Sequence, residues 1–248
     1  PTPPLRPPPP PTHAHLLHIR SRICGQGILK SPHWTHLYLS QYREWVVGAR
    51  KSAETALRRP LSRYWFIVQA MDSTLIPHNG GDWRLPTAAE ERFMIYTALV
   101  AANATGLFFF GWEQLVHPST WVRDTLNPVV EELVRYLPAI VRGAIESRGL
   151  LGTAQPAIDA QAFDGAAAGL AGPLILAVNS APNRTTLELH LSPLRTGGGR
   201  APTALRALSR SSAGPEELET DRAPVACANA ICHDAIGGYG VNAYVVQM

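Results

Sequence analysis

A tryptophan and a glutamate stand side by side as Trp112-Glu113, directly after an apolar run that ends in three phenylalanines. An indole ring can stack on the face of a sugar. A carboxylate beside it can act as a general acid, a general base or a hydrogen-bond acceptor. The alternative is a structural role, in which Glu113 is a solvated loop residue that caps the next segment. The pair marks a candidate catalytic residue, Glu113, next to a candidate stacking surface, Trp112.

A second candidate carboxylate, Asp72, follows another apolar run by two residues. It could transfer a proton, or it could be a turn residue beside Ser73. Gln69, at the end of that run, could bond a sugar hydroxyl or satisfy a backbone group. Asp82 and Trp83 add an acid and an aromatic ring before Arg84, which suits either sugar binding or a helix-entry cluster.

These residues need a framework, and the pattern of residues 42–147 predicts one. Apolar positions recur at helical spacing in three stretches, and two short apolar and aromatic runs between them indicate buried strands. Thr87 and Glu90 form a capping-box sequence, Pro128 fits the first turn of a helix capped by Asn127, and Pro138 should kink that helix. The predicted helices cover 42–57, 87–103 and 119–146, and the predicted strands cover 64–68 and 107–110. Such alternation builds βαβ units with a parallel sheet.

The pattern changes after Gly149. Residues 150–172 are rich in Ala and Gly and are predicted to be a linker or an irregular segment. Apolar or alternating runs predict strands at 173–179, 185–191 and 239–246, the second of them antiparallel and half-buried. Residues 193–223 are predicted to be a long loop, because Gly, Ser, Arg and Pro dominate them.

The order of several motifs resembles the last two βα units of glycoside-hydrolase-like (β/α)8 barrels. The motifs are Trp65-Phe-Ile-Val-Gln-Ala70, Pro86-Thr-Ala-Ala-Glu90 and Leu107-Phe-Phe-Phe-Gly-Trp112, followed by the β-type Leu176-Ala-Val-Asn179 and Tyr239-Gly-Val-Asn-Ala-Tyr244. The resemblance covers about two-thirds of the chain. It implies an α/β fold that is a partial (β/α)8 (TIM) barrel followed by a small antiparallel β-sandwich domain.

The resemblance also implies a domain organisation. A Pro-rich segment over 1–33 is expected to be disordered, the barrel portion is assigned to 34–149, and a β-sandwich-like domain to 150–248. A complete barrel needs eight strands, and only two precede the β-type region. We therefore expect that the remaining βα units are missing, that a sheet edge stays open, and that the isolated chain is poorly soluble.

Active sites of such barrels lie at the carboxyl ends of the strands, so the resemblance implies catalytic roles for Glu113 and Asp72. Trp112, Gln69, Trp83 and Asp82 are the implied substrate-binding residues. Retaining members of the related clan carry their acid/base after the fourth strand, which this chain lacks, and their nucleophile after the seventh. Here the seventh-strand position shows no glutamate, only the run from Gln69 to Asp72. The usual two-carboxylate mechanism is therefore in question.

Composition excludes several other functions. The net charge of +3 comes from scattered residues, with no basic block for nucleic acid. There is no run of 18 apolar residues that would span a membrane and no signal-peptide pattern, so localisation stays unassigned. No motif implies a cofactor or a metal, and the histidines near the start lie in a patternless segment. Cys227 and Cys232 could pair if the chain between them turns back, but unpaired thiols are the favoured interpretation.

Two functions remain. The first is a carbohydrate-active protein that resembles a glycoside hydrolase and is incomplete as an enzyme, with a carbohydrate as its ligand. The alternative is a non-catalytic remnant of a barrel and a β-sandwich that binds sugar or a partner.

Overall fold

The computed structural model describes residues 32–70, 84–110, 120–146, 149–152, 155–194, 202–209 and 224–247. Helix α1 (Pro32–Leu57) leads into strand β1 (Trp65–Gln69), helix α2 (Ala88–Val100) and strand β2 (Gly106–Phe110). A π-helical turn (Val122–Leu126) and helix α3 (Asn127–Ile140) follow. β1 and β2 pair in parallel, with Trp65 opposite Gly106 and Gln69 opposite Phe110. The predicted order of helix, strand, helix, strand and helix is observed.

Helix α2 begins as its sequence predicts, because the Thr87 side chain accepts from the Glu90 backbone N–H and the Glu90 carboxylate accepts from the Thr87 N–H. Every residue from Glu91 to Val100 is buried, so this helix has no solvated face. It lies between the parallel strands on one side and a second, antiparallel sheet on another, with α1 and α3 also in contact. A helix that is buried on all sides needs apolar residues on most of its surface, which fits the run from Phe93 to Val100, with Tyr96 and Thr97 as its polar members.

The third helix differs from its prediction at both ends. Asn127 is not a cap: it has helical backbone angles, and its N–H bonds the carbonyl of Val122 in the π-helical pattern. The next residue, Pro128, has no N–H to continue the α-helical ladder, and a wider turn precedes it. α3 contains Pro138 and ends at Ile140, and Gly143 follows with a positive φ of 89°. The residues predicted as its last turn, Ala144–Glu146, form strand β3 instead.

In the rest of the described residues, one curled antiparallel sheet has eight strands, in the order β3-β4-β5-β10-β7-β8-β9-β6. After β3 the strands are β4 (Ile158–Phe163), β5 (Leu174–Asn179), β6 (Thr185–His190), β7 (Ala204–Ser209), β8 (Val225–Ala228), β9 (Ile231–Ile236) and β10 (Val241–Gln247). The predicted strands correspond to β5, β6 and β10. The linker predicted for 150–172 contains β4, and the loop predicted for 193–223 contains β7.

The sheet curls far enough that the segment after β3 reaches β6, the strand at the other end of the order. Leu151 forms a bridge to Leu189, and the His190 N–H donates to the Leu150 carbonyl at 2.8 Å. The inner face of the curl encloses its own apolar core. Its largest fully buried members are Leu150, Ile175, Leu187 and Tyr244.

The outer face of β4, β5 and β10 packs against the helices and forms a second apolar core with them. Polar contacts cross this boundary as well. The Arg43 guanidinium on α1 bonds the Asp159 carboxylate on β4, with Nη2 to Oδ1 at 2.8 Å. The Gln161 amide donates to the Val100 carbonyl at the end of α2, at 2.7 Å. The two parts of the chain are therefore packed against each other through an extensive interface.

The two cysteines near the end of the chain form a disulfide, so the favoured prediction of unpaired thiols is wrong. β8 and β9 make a hairpin whose two loop residues, Asn229 and Ala230, have φ of 52° and 62°. Positive φ at both central residues is the conformation of a type I′ turn, for which Asn is a preferred residue. That turn sets Cys227 directly opposite Cys232, and the two sulfur atoms are bonded.

One face of the parallel pair is apolar and open to solvent within the described residues. Phe66 and Val68 turn toward the helices and are buried. Trp65 and Phe108 point the other way, with 55% and 52% of their surface exposed and ring centroids 4.8 Å apart. None of the helices in the described part of the chain is long and apolar enough to cross a membrane.

Candidate functional site

The carboxyl ends of β1 and β2 lie side by side, because the strands are parallel and Gln69 is in register with Phe110. The segments that follow β1 and β2 in the sequence, 71–83 and 111–119, lie outside the described residues. Five of the six residues predicted for the site belong to those segments: Asp72, Asp82, Trp83, Trp112 and Glu113. The structure describes the strand ends that precede them in the chain, and the positions of these five residues stay predictions.

Gln69 is the one predicted site residue that the structure describes. Its side chain is buried, with 6% exposed, and its Nε2 donates to the backbone carbonyl of Arg84 at 3.0 Å. This bond joins the last residue of β1 to Arg84, the first described residue after segment 71–83. Gln69 therefore satisfies a backbone carbonyl, which is one of the two roles predicted for it from the sequence.

A network of charged groups holds the start of α2 beside this edge. Arg84 bonds both carboxylate oxygens of Glu90, at 2.7 and 2.5 Å, and Glu90 also accepts from the Thr87 N–H at 2.8 Å. The hydrogen bond to Glu90 raises the pKa of Arg84 above its ordinary value. From the segment after β2, the Trp121 indole N–H donates to the Pro86 carbonyl at 2.6 Å. Both strand-end regions are thereby fixed to the same helix start.

Sequence reasoning missed a buried carboxyl group in the first turn of α2. Glu91 has no exposed surface, and neither of its carboxyl oxygens has a hydrogen-bond partner within the described residues. Burial, and then the neighbouring Glu90, raise its pKa well above the ordinary value. The sequence signal was ambiguous, because an acidic residue in the first turn of a helix is ordinarily favoured on the surface by the helix dipole.

A buried ion pair links α2 and α3 to the antiparallel sheet. Arg92 Nε and Nη2 donate to the two oxygens of Glu132 on α3, at 2.6 and 2.8 Å. The same guanidinium bonds the Ser209 hydroxyl at 2.7 Å and the Val241 carbonyl. Burial opposes both charges, but each partner outweighs it, so the pKa of Arg92 is raised and that of Glu132 is lowered. The helical sequence pattern gave no sign of this network, because its partners are up to 149 residues apart.

No group of three or more His, Cys, Asp or Glu side chains that could hold a metal ion occurs among the described residues. The polar groups that the structure describes near the strand ends are Gln69, Arg84 and Glu90, and the predicted carboxylates belong to segments outside the described residues.

No protein-family model matches the chain, and no curated protein matches it either. Solved structures do. AmyP, crystallised with maltose, shares 11% identity and a TM-score of 0.51 over 92% of this chain and 48% of its own. An α-amylase from Geobacillus thermoleovorans shares 11% identity and a TM-score of 0.49, over 86% of this chain and 47% of its own. A GH27 β-L-arabinopyranosidase from Geobacillus stearothermophilus shares 16% identity and a TM-score of 0.46, over 87% of this chain and 42% of its own.

The chain spans less than half the length of each of these three structures. At such low identity, the likeness to AmyP concerns the fold alone. It supports the glycoside-hydrolase-like fold that the order of the sequence motifs predicted.

Proposed function

We propose that this chain is part of a carbohydrate-active protein resembling a glycoside hydrolase, with its sugar site at the carboxyl ends of β1 and β2. The observation that carries the proposal is the likeness in fold to AmyP over 92% of the chain. That likeness takes in both the βα units and the curled sheet. The crystallised ligand of AmyP is a sugar, which fits a carbohydrate as the ligand of this chain.

Within this proposal, Glu113 is the residue that transfers a proton and Asp72 is the second carboxylate. Trp112 offers a stacking surface directly beside Glu113 in sequence. Two carboxyl groups about 5–5.5 Å apart support retention of stereochemistry, and about 6.5–9.5 Å supports inversion.

We propose that the face of a sugar ring stacks against Trp83 and that its hydroxyls bond Asp82 and lie near the Gln69 amide, whose Nε2 also bonds the Arg84 carbonyl. The bond from Gln69 to Arg84 holds together the described residues on either side of segment 71–83. This supports the proposal that Asp72, Asp82 and Trp83, which are close to these two residues in sequence, contribute to one site.

We further propose that β1 and β2 are the last two strands of a (β/α)8 barrel, followed by a β-sandwich-like domain. The open face around Trp65 and Phe108 supports this, since the interior of such a barrel is filled with side chains from all its strands. Among the described residues, β1 and β2 pair only with each other, and parallel sheets ordinarily have both faces covered. The outward side of α3 and its C-cap carry an exposed apolar stripe, consisting of Val134, Leu137 and Val141. Helices of neighbouring βα units would cover that stripe.

The proposed catalytic role is tested with Glu113→Gln in the longer parent protein of which this chain is proposed to be a part. The variant is expected to lose about 10²–10⁴-fold in hydrolysis of a responsive glycoside, because the amide cannot transfer a proton. Binding of the same sugar, followed by calorimetry, is expected to persist. Glu131→Gln, at an exposed position on α3, is the matched control and should leave both unchanged.

The longer parent protein must first show hydrolysis on a panel of glycosides that includes maltooligosaccharides and arabinosides. Hydrolysis that survives Glu113→Gln would refute the role of that residue. A parent protein that binds sugar but hydrolyses nothing on the panel would favour the non-catalytic sugar-binding module.

The open apolar face predicts self-association of the isolated chain. Replacing Trp65 and Phe108 together with threonine should raise the monomer fraction measured by light scattering, because threonine keeps strand propensity and removes exposed rings. Leu57→Gln, which removes an exposed apolar residue at the end of α1, is the control and should change little. A reference chain that is fully monomeric and melts sharply would contradict the prediction.

A further inference from the structure

The disulfide lies at a narrow part of the curled sheet, inside the strand order rather than at its edge. β8 has four residues and is the strand that joins β7 to β9 in the sheet order. It pairs with β7 through Ala226 and Val225, and with β9 through Cys227 and Ala228. The ladder across β8 is therefore only two residue pairs long on either side. A covalent bond at this place adds a constraint where backbone pairing is sparse.

Beyond β8, strands β9 and β6 form a two-stranded ribbon over six residue pairs, from Thr185 opposite Ile236 to His190 opposite Ile231. The ribbon contributes Leu187, Leu189 and Ile236 to the inner core. On its far side it is attached to the segment after β3 through the bonds of Leu150 and Gly152. The ribbon thus depends on short contacts at both of its edges.

The two ends of β9 are held in different ways. At the end near β10, the Tyr244 hydroxyl donates to Asp234 at 2.7 Å, the Asn242 amide donates to the Ala235 carbonyl at 3.0 Å, and Asn179 donates to the Gly237 carbonyl at 2.9 Å. At the turn end, the Leu191 N–H donates to the Ala230 carbonyl, and the disulfide joins Cys232 to β8. Breaking the disulfide therefore removes a constraint from the turn end alone.

We propose that the Cys227–Cys232 bond is a redox-sensitive cross-link that controls local opening of the β8–β9 hairpin at its turn. Cys232 is buried, with 1% exposed, whereas Cys227 is partly exposed, so attack occurs at the Cys227 sulfur. A thiolate of a dithiol reductant bonds that sulfur, the disulfide breaks, and Cys232 leaves as a thiolate that takes up a proton. The second thiol of the reductant then displaces Cys227 and closes its own disulfide. Two electrons and two protons end on the cysteines.

The proposal does not depend on the sugar site, which lies on the parallel strands. It is tested by hydrogen exchange with mass spectrometry on the full chain, with and without dithiothreitol. Reduction is expected to raise exchange of the β8 and early β9 amides, residues 225–233, by about tenfold. β5 (Leu174–Asn179), at the centre of the sheet, should exchange as before.

Two variants sharpen the test. Cys227→Ser with Cys232→Ser should show the faster exchange in 225–233 without reductant and should not respond to it. Cys24→Ser removes the third cysteine and should behave as the reference chain does. Free thiols at Cys227 and Cys232 in protein folded without reductant would overturn the proposal. So would unchanged exchange in 225–233 after reduction, or an equal rise in β5, since the bond would then not act locally.

Discussion

An Arg92→Met variant is expected to lose about 3–5 kcal/mol of the free energy of unfolding, which is the usual cost of removing one partner of a buried ion pair. Methionine matches much of the arginine volume but leaves the Glu132 carboxylate without its cation. It also leaves the Ser209 hydroxyl and the Val241 carbonyl without a donor that both now use. Urea denaturation of the full chain at neutral pH measures the loss.

The matched control is Arg142→Met. Arg142 bonds Asp164 at 3.1 Å, but 64% and 41% of the two side chains are exposed, so this pair should contribute no more than about 1 kcal/mol. A double variant, Arg92→Met with Glu132→Leu, should recover much of the stability, because no unpaired charge then remains buried. Equal losses for Arg92→Met and Arg142→Met would show that the buried network does not hold the helices to the sheet.

The Arg92–Glu132 pair also predicts acid sensitivity. The folded-state pKa of Glu132 lies below its unfolded value, because Arg92 outweighs the effect of burial. The contribution of this carboxylate is therefore present above the unfolded pKa and is lost as pH falls through the folded pKa. Stability should fall below about pH 4.5, the unfolded value for a glutamate.

Glu91→Gln is expected to have the second large effect, and it is stabilising. Burial, followed by Glu90, raises the folded-state pKa of Glu91 well above 4.5. A carboxyl group of this kind makes no pH-dependent contribution to the free energy of unfolding well below its unfolded pKa, where it is protonated in both states. Above that pH the folded chain must bind a proton that the unfolded chain releases. Stability therefore falls as pH rises toward the folded pKa, by up to about 1.4 kcal/mol per pH unit.

Glutamine removes this proton uptake while nearly preserving side-chain volume. The two chains should be close in stability near pH 4, and the variant should gain progressively as pH rises to 7. Urea titrations at several pH values measure the difference, and Glu131→Gln at an exposed position should follow the reference chain. Parallel stability curves for Glu91→Gln and the reference chain would refute the buried, protonated state of Glu91.

The local rules predicted the first half of the fold well. The Thr87–Glu90 capping box, the apolar run at Trp65 and the run at Leu107 depend on neighbouring residues, and the corresponding elements appear where they were expected. Strands β5, β6 and β10 were likewise visible as apolar or alternating runs. The edge that carries the candidate site followed from these elements, since parallel strands end together.

Long-range partners decided the rest. β4, with the sequence Ile-Asp-Ala-Gln-Ala-Phe, alternates in polarity over its first five residues, but it is short and stands in an Ala- and Gly-rich segment, so it was predicted as irregular. Tertiary packing gave both of its faces partners: Ile158, Ala160 and Ala162 enter the inner core, and its polar Asp159 and Gln161 bond the helices. Arg92 became a buried cation only because Glu132, Ser209 and Val241 converge on it from other elements. Cys227 and Cys232 paired because a two-residue turn set them opposite each other. Chain neighbours determine where a helix or strand begins, whereas tertiary packing determines which polar group is buried and with what partner.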